Sequence, residues 1–261
     1  MTNEERIQVF DSQGQAYKQA FQTFLDHTDQ KRNAKRWLQQ IVDGLSTRKV
    51  FIDAGAGNGE VTRAFADDFE RTIAIEPNIF LVKQLQEAVP TAEVEVIDEP
   101  IMAAQPTARG DLVLCSHTLY YIPPEEWLCH LERLVSWMSP DGVTIVVLQH
   151  RETGCMNMLH HFYGQRFEIR RTAEAFRVKH GELYDVMTTL DPAHVVTPDL
   201  EKTYAVAEFM LNLLEVKCAP ARREVEAYVQ AHFATGRGGY CIPVHQDFLQ
   251  IRPLRRGEII T

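Results

Sequence analysis

The chain predicts an α/β fold built on a parallel, doubly wound sheet. Three observations carry the prediction. Short apolar runs alternate with amphipathic segments from Lys49 to His150, the order that parallel strands joined by crossover helices require. The first of those runs, "KVFIDAG", ends directly on glycine. The hydrophobic share of 45% over 261 residues is enough for one extended domain with a sizeable core.

Residues 1–47 read as helical. Tyr17, Phe21, Phe24 and Leu25 recur at steps of three and four, and a second helix carries Trp37, Leu38, Ile41, Val42 and Leu45. The period then changes. "KVFIDAG" is a strand, "EVTRAFADDF" a helix, "TIAIEPN" a second strand and "IFLVKQLQEAV" a second helix of the alternating run. "EVEVID" is the third strand and "DLVLCSH" the fourth. "PPEEWLCHLERLVSWM" reads as a helix opening on proline in its first turn. The turn "SPDG" leads into a fifth strand, "GVTIVVLQH". Residues 151–261 are less regular: "GCMNMLHHFYGQRF" and "KTYAVAEFMLNLLEVK" read as helices and "VHQDFLQIRP" as a last strand. The chain thus divides into an N-terminal helical segment (1–47), a core (48–150) and a C-terminal half (151–261) with helical additions.

Composition narrows the partners. The net charge is −9, from 36 acidic and 27 basic residues, and an acidic surface repels phosphate backbones, which argues against nucleic acid and for a small substrate. Five cysteines without paired spacing suggest reduced thiols and a cytoplasmic setting. The first ten residues lack a signal-peptide core, and no apolar run reaches membrane-span length, so no membrane partner is expected. A monomer is expected. No His-x-x-x-His or Cys-x-x-Cys spacing appears, so no metal is expected.

The glycine loop carries the chemistry. Glycines let the backbone approach a ligand, and the following helix N-terminus favours electron-rich groups. The dinucleotide fingerprint is Gly-x-Gly-x-x-Gly; here Gly55, Gly57 and Gly59 are spaced Gly-x-Gly-x-Gly, and Glu60 takes the sixth position. A pyrophosphate beside Glu60 and Asp53 would meet negative charge. A cationic ligand without phosphate would not, and S-adenosylmethionine fits that description. Glu76 ends the second strand, where a carboxylate accepts both ribose hydroxyls. Asp98 ends the third, in reach of an adenine amino group. "CSHTLYYI" follows the fourth, where methyl acceptors sit. Nicotinamide enzymes also place an acid after the second strand, so Glu76 alone does not separate the classes.

The order of these motifs resembles a class I S-adenosylmethionine-dependent methyltransferase. The segments "AYKQAFQTFLDHTDQ", "IEPN", "TLYYI", "YGQRF", "TTLDP" and "AVAEFM", in that order, resemble the histamine N-methyltransferases over nearly the whole chain. The resemblance implies a seven-stranded, mostly parallel Rossmann-like sheet with S-adenosylmethionine as cofactor. It also implies an N-terminal helical lid over the substrate, with the C-terminal half completing sheet and pocket. It implies that Ser116 touches the cofactor together with the glycine loop and Glu76, and that Tyr17, Phe21, Phe24, Tyr120, Tyr121, Phe167 and Phe209 line an aromatic pocket. Five positions depart from the family. Gln30 stands where a glutamate holds the amine of histamine, with Asp29 beside it, and His117 replaces a glutamine. Met156 or Cys155, and His160, replace two tryptophans, and Val244 or His245 falls near an asparagine. The expected activity is therefore N-methylation of a small imidazole or amine other than histamine. The alternatives are an O-methyltransferase of a phenol or carboxylate, a silent S-adenosylmethionine-binding protein and, against the loop spacing, a nicotinamide oxidoreductase.

Methyl transfer needs an aligned, unprotonated nucleophile. An alkylamine or phenol needs a base, and His117 and His245 are the candidates because imidazole titrates in the working range. Either ring also suits a plain hydrogen bond to a nearby backbone carbonyl, and an aromatic stripe at helical spacing such as that of the first helix is usually core. "RFEIRR" reads as a solvated face that also offers an arginine to a substrate carboxylate.

Overall fold

The computed structural model describes residues 5–11, 14–89, 94–214, 216–236 and 238–254. In chain order, α1 (Gln15–His27) and α2 (Gln30–Asp43) precede the alternating run. That run is β1 (Val50–Ala54), α3 (Glu60–Phe65), β2 (Arg71–Ile75), α4 (Ile79–Ala88), β3 (Val94–Ile97), β4 (Gly110–Ser116), α5 (Trp127–Ser136) and β5 (Met138–Gln149). Then come α6 (Gly154–Tyr163), α7 (Ile169–His180), β6 (Tyr184–Asp191), β7 (His194–Thr197), α8 (Leu200–Leu211), α9 (Arg222–Phe233), β8 (Tyr240–Pro243) and β9 (Gln246–Pro253).

Seven strands form one sheet in the order β3-β2-β1-β4-β5-β9-β6, as expected, and β7 and β8 form a separate antiparallel pair. The first five pair in parallel, with Asp53 opposite both Ala74 and Leu114. Helices cover both faces of such a sheet, so its strands read as nearly continuous apolar runs. Phe51, Ile52, Ile73, Ile75, Leu112, Val113 and Leu114 are fully buried. The strand order reverses between β1 and β4, and ligands of open α/β sheets gather at the carboxyl ends of the strands beside such a switch point.

The chain forms two compact units. One comprises residues 1–34, 149–168 and 190–246; the other comprises 35–148, 169–189 and 247–261. The second holds most of the sheet and the glycine loop. The first holds α1, α6, α8, α9 and the β7–β8 pair.

Several expectations need correction. Residues 5–11 are not helical. They run extended across α8 and α9, with Ile7 N–H donating to Pro220 O at 3.0 Å, Gln8 N–H to Glu208 Oε1 at 2.7 Å and Phe10 N–H to Asn212 Oδ1 at 2.9 Å. These outside acceptors satisfy amides that a helix would have satisfied internally. "SPDG" is not a separate turn but part of β5, where the β4–β5 register shifts between Gly110 and Leu112 and Ser139 Oγ donates to Asp111 Oδ1 at 2.9 Å. The proline-led turn Pro124–Glu126 is a 3₁₀ turn, and α5 starts only at Trp127. The sequence reading leaves α7, β6, β7, α9 and β8 unassigned. Glu93 of "EVEVID" and Glu215 of the α8 segment lie outside the described residues.

Candidate active site

β1 delivers Asp53 to the carboxyl edge of the sheet, 1% exposed, where Thr62 Oγ1 donates to its Oδ2 at 2.7 Å. Burial raises the Asp53 pKa to about 6; the Thr62 hydroxyl opposes that rise and the nearby Glu76 carboxylate adds to it. The loop that follows turns through three left-handed glycines, Gly55, Gly57 and Gly59, with φ of 82°, 58° and 80°. Two of them are also tightly packed. A Cβ on Gly55 would stand 2.1 Å from Thr118 Oγ1, and one on Gly59 would stand 2.6 Å from Leu85 Cδ1. A Cβ on Gly57 would meet nothing within 4 Å, so the loop is open on that side.

Glu76 follows β2 and is buried, yet both carboxylate oxygens are held by backbone. Gly57 N–H donates to Oε2 and Asn78 N–H to Oε1, each at 2.9 Å. The Asn78 side chain caps α4 by accepting from Phe80 N–H at 3.0 Å, which fixes the turn after the carboxylate. Each Glu76 oxygen keeps a second lone pair for a ligand hydroxyl. Asp98, one residue past β3, is exposed.

Ser116 closes β4, and His117 follows with φ +56°, the one non-glycine residue at positive φ among those described. Its N–H donates to Val147 O at 2.9 Å, and its Nδ1 lies 3.2 Å from the Tyr120 hydroxyl, the two rings stacked at 5.8 Å. Tyr120 is buried, whereas Tyr121 is 73% exposed. Burial pushes the thiol of Cys115, which precedes Ser116, up to about 12, so it stays protonated and is no nucleophile. All five cysteines are free thiols.

Most of the remaining candidates lie in the other unit. Phe209 of α8 packs on Tyr17, Phe21 and Phe24 of α1 at 5.6, 5.4 and 5.5 Å between centroids, with Phe24 and Phe209 buried and Tyr17 and Phe21 half-buried. These rings contact one another as an α1–α8 core, and Lys31 Nζ lies 5.0 Å from the Phe21 ring. Gln30 is buried; its Nε2 donates to Val244 O at 2.9 Å, and its backbone O accepts from Gln246 Nε2 at 3.2 Å. Asp29 Oδ1 accepts from His194 N–H at 2.7 Å. His245 Nδ1 lies 3.0 Å from both the N and the O of Ala193, and its ring meets His194 edge to face at 5.1 Å. Phe167 is buried, His160 is exposed on α6, and Met156 and Cys155 are buried. From "RFEIRR", Arg170 is engaged by the buried Asp247 through Nε at 3.0 Å and Nη2 at 2.7 Å.

Sequence reading missed Thr62 and Thr118. Thr62 carried a usable signal, since a hydroxyl in the first turn after a glycine loop faces back toward the strand end. Thr118 carried none, because its partner Gly55 is distant in sequence.

The family model for a methyltransferase domain matches residues 25–186. The chain belongs to the methyltransferase domain family. No curated protein sequence matches it. Among solved structures, this methyltransferase is similar to the N-methyltransferase NodS of Bradyrhizobium japonicum WM9 in complex with S-adenosylhomocysteine. That match has a TM-score of 0.56 at 10% identity and covers 93% of this chain and 100% of that one. The YcgJ protein of Bacillus subtilis matches with a TM-score of 0.56 at 14% identity over 84% and 98% of the two chains. A protein of unknown function from Deinococcus radiodurans R1 matches with a TM-score of 0.54 at 19% identity over 83% and 85%. Identities this low establish the fold alone. Neither the family model nor these structures carry the resemblance to histamine N-methyltransferases beyond the class.

S-adenosylmethionine is the cofactor of this methyltransferase, and the residues present fit it. The loop is open where Gly57 lacks a side chain, the Glu76 carboxylate is pre-set by two amides, and Asp53 and Glu76 favour a cationic ligand over a pyrophosphate. Among the described residues, no helix is long and apolar enough to cross a membrane, and no group of three or more His, Cys, Asp or Glu side chains could hold a metal ion.

Proposed function

We propose that the protein methylates nitrogen in a small molecule, an imidazole or amine, with His117 as the base that takes the acceptor's proton. One observation carries the reading. His117 is held in a left-handed conformation at the carboxyl end of β4, with Nδ1 against the Tyr120 hydroxyl. When the ring proton sits on Nδ1 and is donated to Tyr120, the lone pair is on Nε2, the atom a general base needs.

In this reading the backbone of Gly55, Gly57 and Gly59 cradles the cofactor beside Asp53. Glu76 accepts the ribose hydroxyls, and Asp98 and Ser116 complete the contact. When bound, S-adenosylmethionine supplies a methyl carbon activated by a sulfonium; the electron pair of the broken C–S bond stays on sulfur. The acceptor nitrogen would take that methyl group through its lone pair, and His117 Nε2 would take the proton this nitrogen loses. An acceptor-binding role for Tyr17, Phe21, Phe24, Gln30, Tyr120, Tyr121, His160, Phe167 and Phe209 is part of the same proposal.

Histamine is disfavoured. Gln30 is neutral and its amide is committed to Val244 O, and Asp29 is engaged by the β7 backbone, so neither readily balances a buried ammonium. The test is a screen of imidazoles, amines and amino acids with labelled methyl donor and analysis of the product. N-methyl product is expected, with histamine a poor acceptor. His117→Ala should lower transfer by about 10²–10⁴-fold, and His117→Gln should retain part of it only if the ring orients rather than takes a proton. O-methyl product, no product with any acceptor, or full turnover in His117→Ala would refute the reading.

A further inference from the structure

The left-handed turn at His117 needs a hold from outside itself. A non-glycine residue there gives up about 1–2 kcal/mol against the ordinary helical or extended basins, and such a conformation persists only where the surroundings over-determine it. On the N-terminal side, His117 N–H is anchored on Val147 O, one step beyond the β4–β5 ladder. On the C-terminal side the anchor is Thr118. Its side chain fills the space that Gly55 leaves by having none; any Cβ there would lie 2.1 Å from Oγ1, 2.5 Å from Cγ2 and 2.8 Å from Cβ of Thr118.

Thr118 Oγ1 also lies 3.4 Å from Ala54 O, 3.5 Å from Gly55 O and 3.3 Å from Ser116 O. These are long for hydroxyl hydrogen bonds, so the shape of the side chain, more than its proton, holds it in place. Beyond Thr118, Tyr121 N–H donates to Thr118 O at 3.2 Å, and Trp127 Nε1 donates to Leu119 O and Ile122 O at 3.1 and 2.9 Å. The turn that presents Tyr120 to His117 is thereby fixed as well. One side chain therefore joins the loop that carries the cofactor to the loop that carries the base.

We propose that Thr118 is a positioning residue for methyl transfer: seated in the space Gly55 leaves free, it locks the loop after β4 onto the glycine loop and sets the His117 ring against Tyr120. The proposal rests on the reading of His117 as the base. It also accounts for two residues that neither fills a core nor touches an acceptor by itself: glycine is required at position 55 and a side chain of threonine shape at 118.

The decisive experiment follows the His117 ring by ¹⁵N-histidine NMR, its signals identified by their loss in His117→Ala, and measures S-adenosylhomocysteine binding by calorimetry. In Thr118→Ala the ring signals should move to those of an imidazole without the Tyr120 bond, while the dissociation constant stays within about twofold. Methyl transfer to an acceptor found in the screen should fall about 10–100-fold, the cost of a misplaced group, and the Thr118→Ala/His117→Ala double variant should be no slower than His117→Ala. Thr118→Val keeps the shape and should leave signals and rate near those of the natural chain, giving a reading even if Thr118→Ala folds poorly. Unmoved ring signals in Thr118→Ala, multiplicative losses in the double variant, a loss of S-adenosylhomocysteine affinity matching the loss of rate, or a large defect in Thr118→Val would each overturn the positioning role. Normal turnover in His117→Ala together with displaced ring signals in Thr118→Ala would overturn only the reading of His117 as base.

Discussion

Two carboxylates at the ends of neighbouring strands sit in different surroundings. Glu76 is fixed by two backbone amides and remains an acceptor. If Glu76 accepts the ribose hydroxyls as proposed, Glu76→Ala removes two hydrogen bonds to a charged group, and S-adenosylhomocysteine binding measured by calorimetry should weaken by about 1.5–3 kcal/mol; unchanged affinity would put the ribose elsewhere. Asp53 is buried and its pKa is raised to about 6. The folded state therefore holds the extra proton between about pH 4 and 6, and Asp53 withdraws stability as pH rises across that window. A cationic ligand at the glycine loop favours the ionised form, so affinity should rise as pH climbs through about 6 and binding there should release protons. Calorimetry across that range in two buffers of different ionisation enthalpy reads both effects, and Asp53→Asn should flatten them. The positions of Glu76 after its strand and of the three glycines in one turn were legible in the sequence because motif order sets them. The Asp53–Thr62 bond was half legible. The Gly55–Thr118 seat was not, because no periodicity or spacing encodes a contact between two distant loops.

Among the elements, legibility followed burial. β1, β2, β4 and β5 announce themselves as apolar runs because parallel strands are covered on both faces. β6 is the outermost strand of the sheet and buries only Val186 among its eight residues, so it has no such run. α7 did carry a signal, Ile169, Ala173 and Phe176 at steps of four and three, but the arginines between them read as a solvated face. The extended segment 5–11 carries no signal of its own because its order comes from other elements. Asn212, at the end of α8, accepts from Phe10 N–H at 2.9 Å and donates to Gln8 O at 3.0 Å. Asn212→Ala should cost about 1–2 kcal/mol of stability and should speed amide exchange over residues 5–11 specifically. Unchanged exchange there would show that the contacts with Pro220 and Glu208 suffice.

At the scale of the whole molecule, sequence order and spatial order part company. Each compact unit is assembled from three separate stretches of chain, and no linear reading of composition reveals such interleaving, because α7, β6 and β9 return to the sheet after an excursion of the chain. The alternating run of residues 48–150 looks self-sufficient in sequence: it carries the glycine loop, Glu76 and His117. Yet the sheet continues from β5 through β9 to β6. Eight consecutive residues of β5, Gly142 to Gln149, are buried, and β9 sets Phe248, Leu249 and Ile251 into the core. Phe248 also packs on Trp37 of α2 at 4.2 Å between centroids. A fragment of residues 48–150 loses all of these and exposes β5 as an unpaired apolar edge, the arrangement that templates aggregation. It should therefore show no cooperative thermal transition by circular dichroism and should bind no S-adenosylhomocysteine, while the full chain does both. A cooperative melt of that fragment with cofactor affinity near that of the full chain would mean that β9 and β6 are additions to the methyltransferase core rather than part of what holds it together.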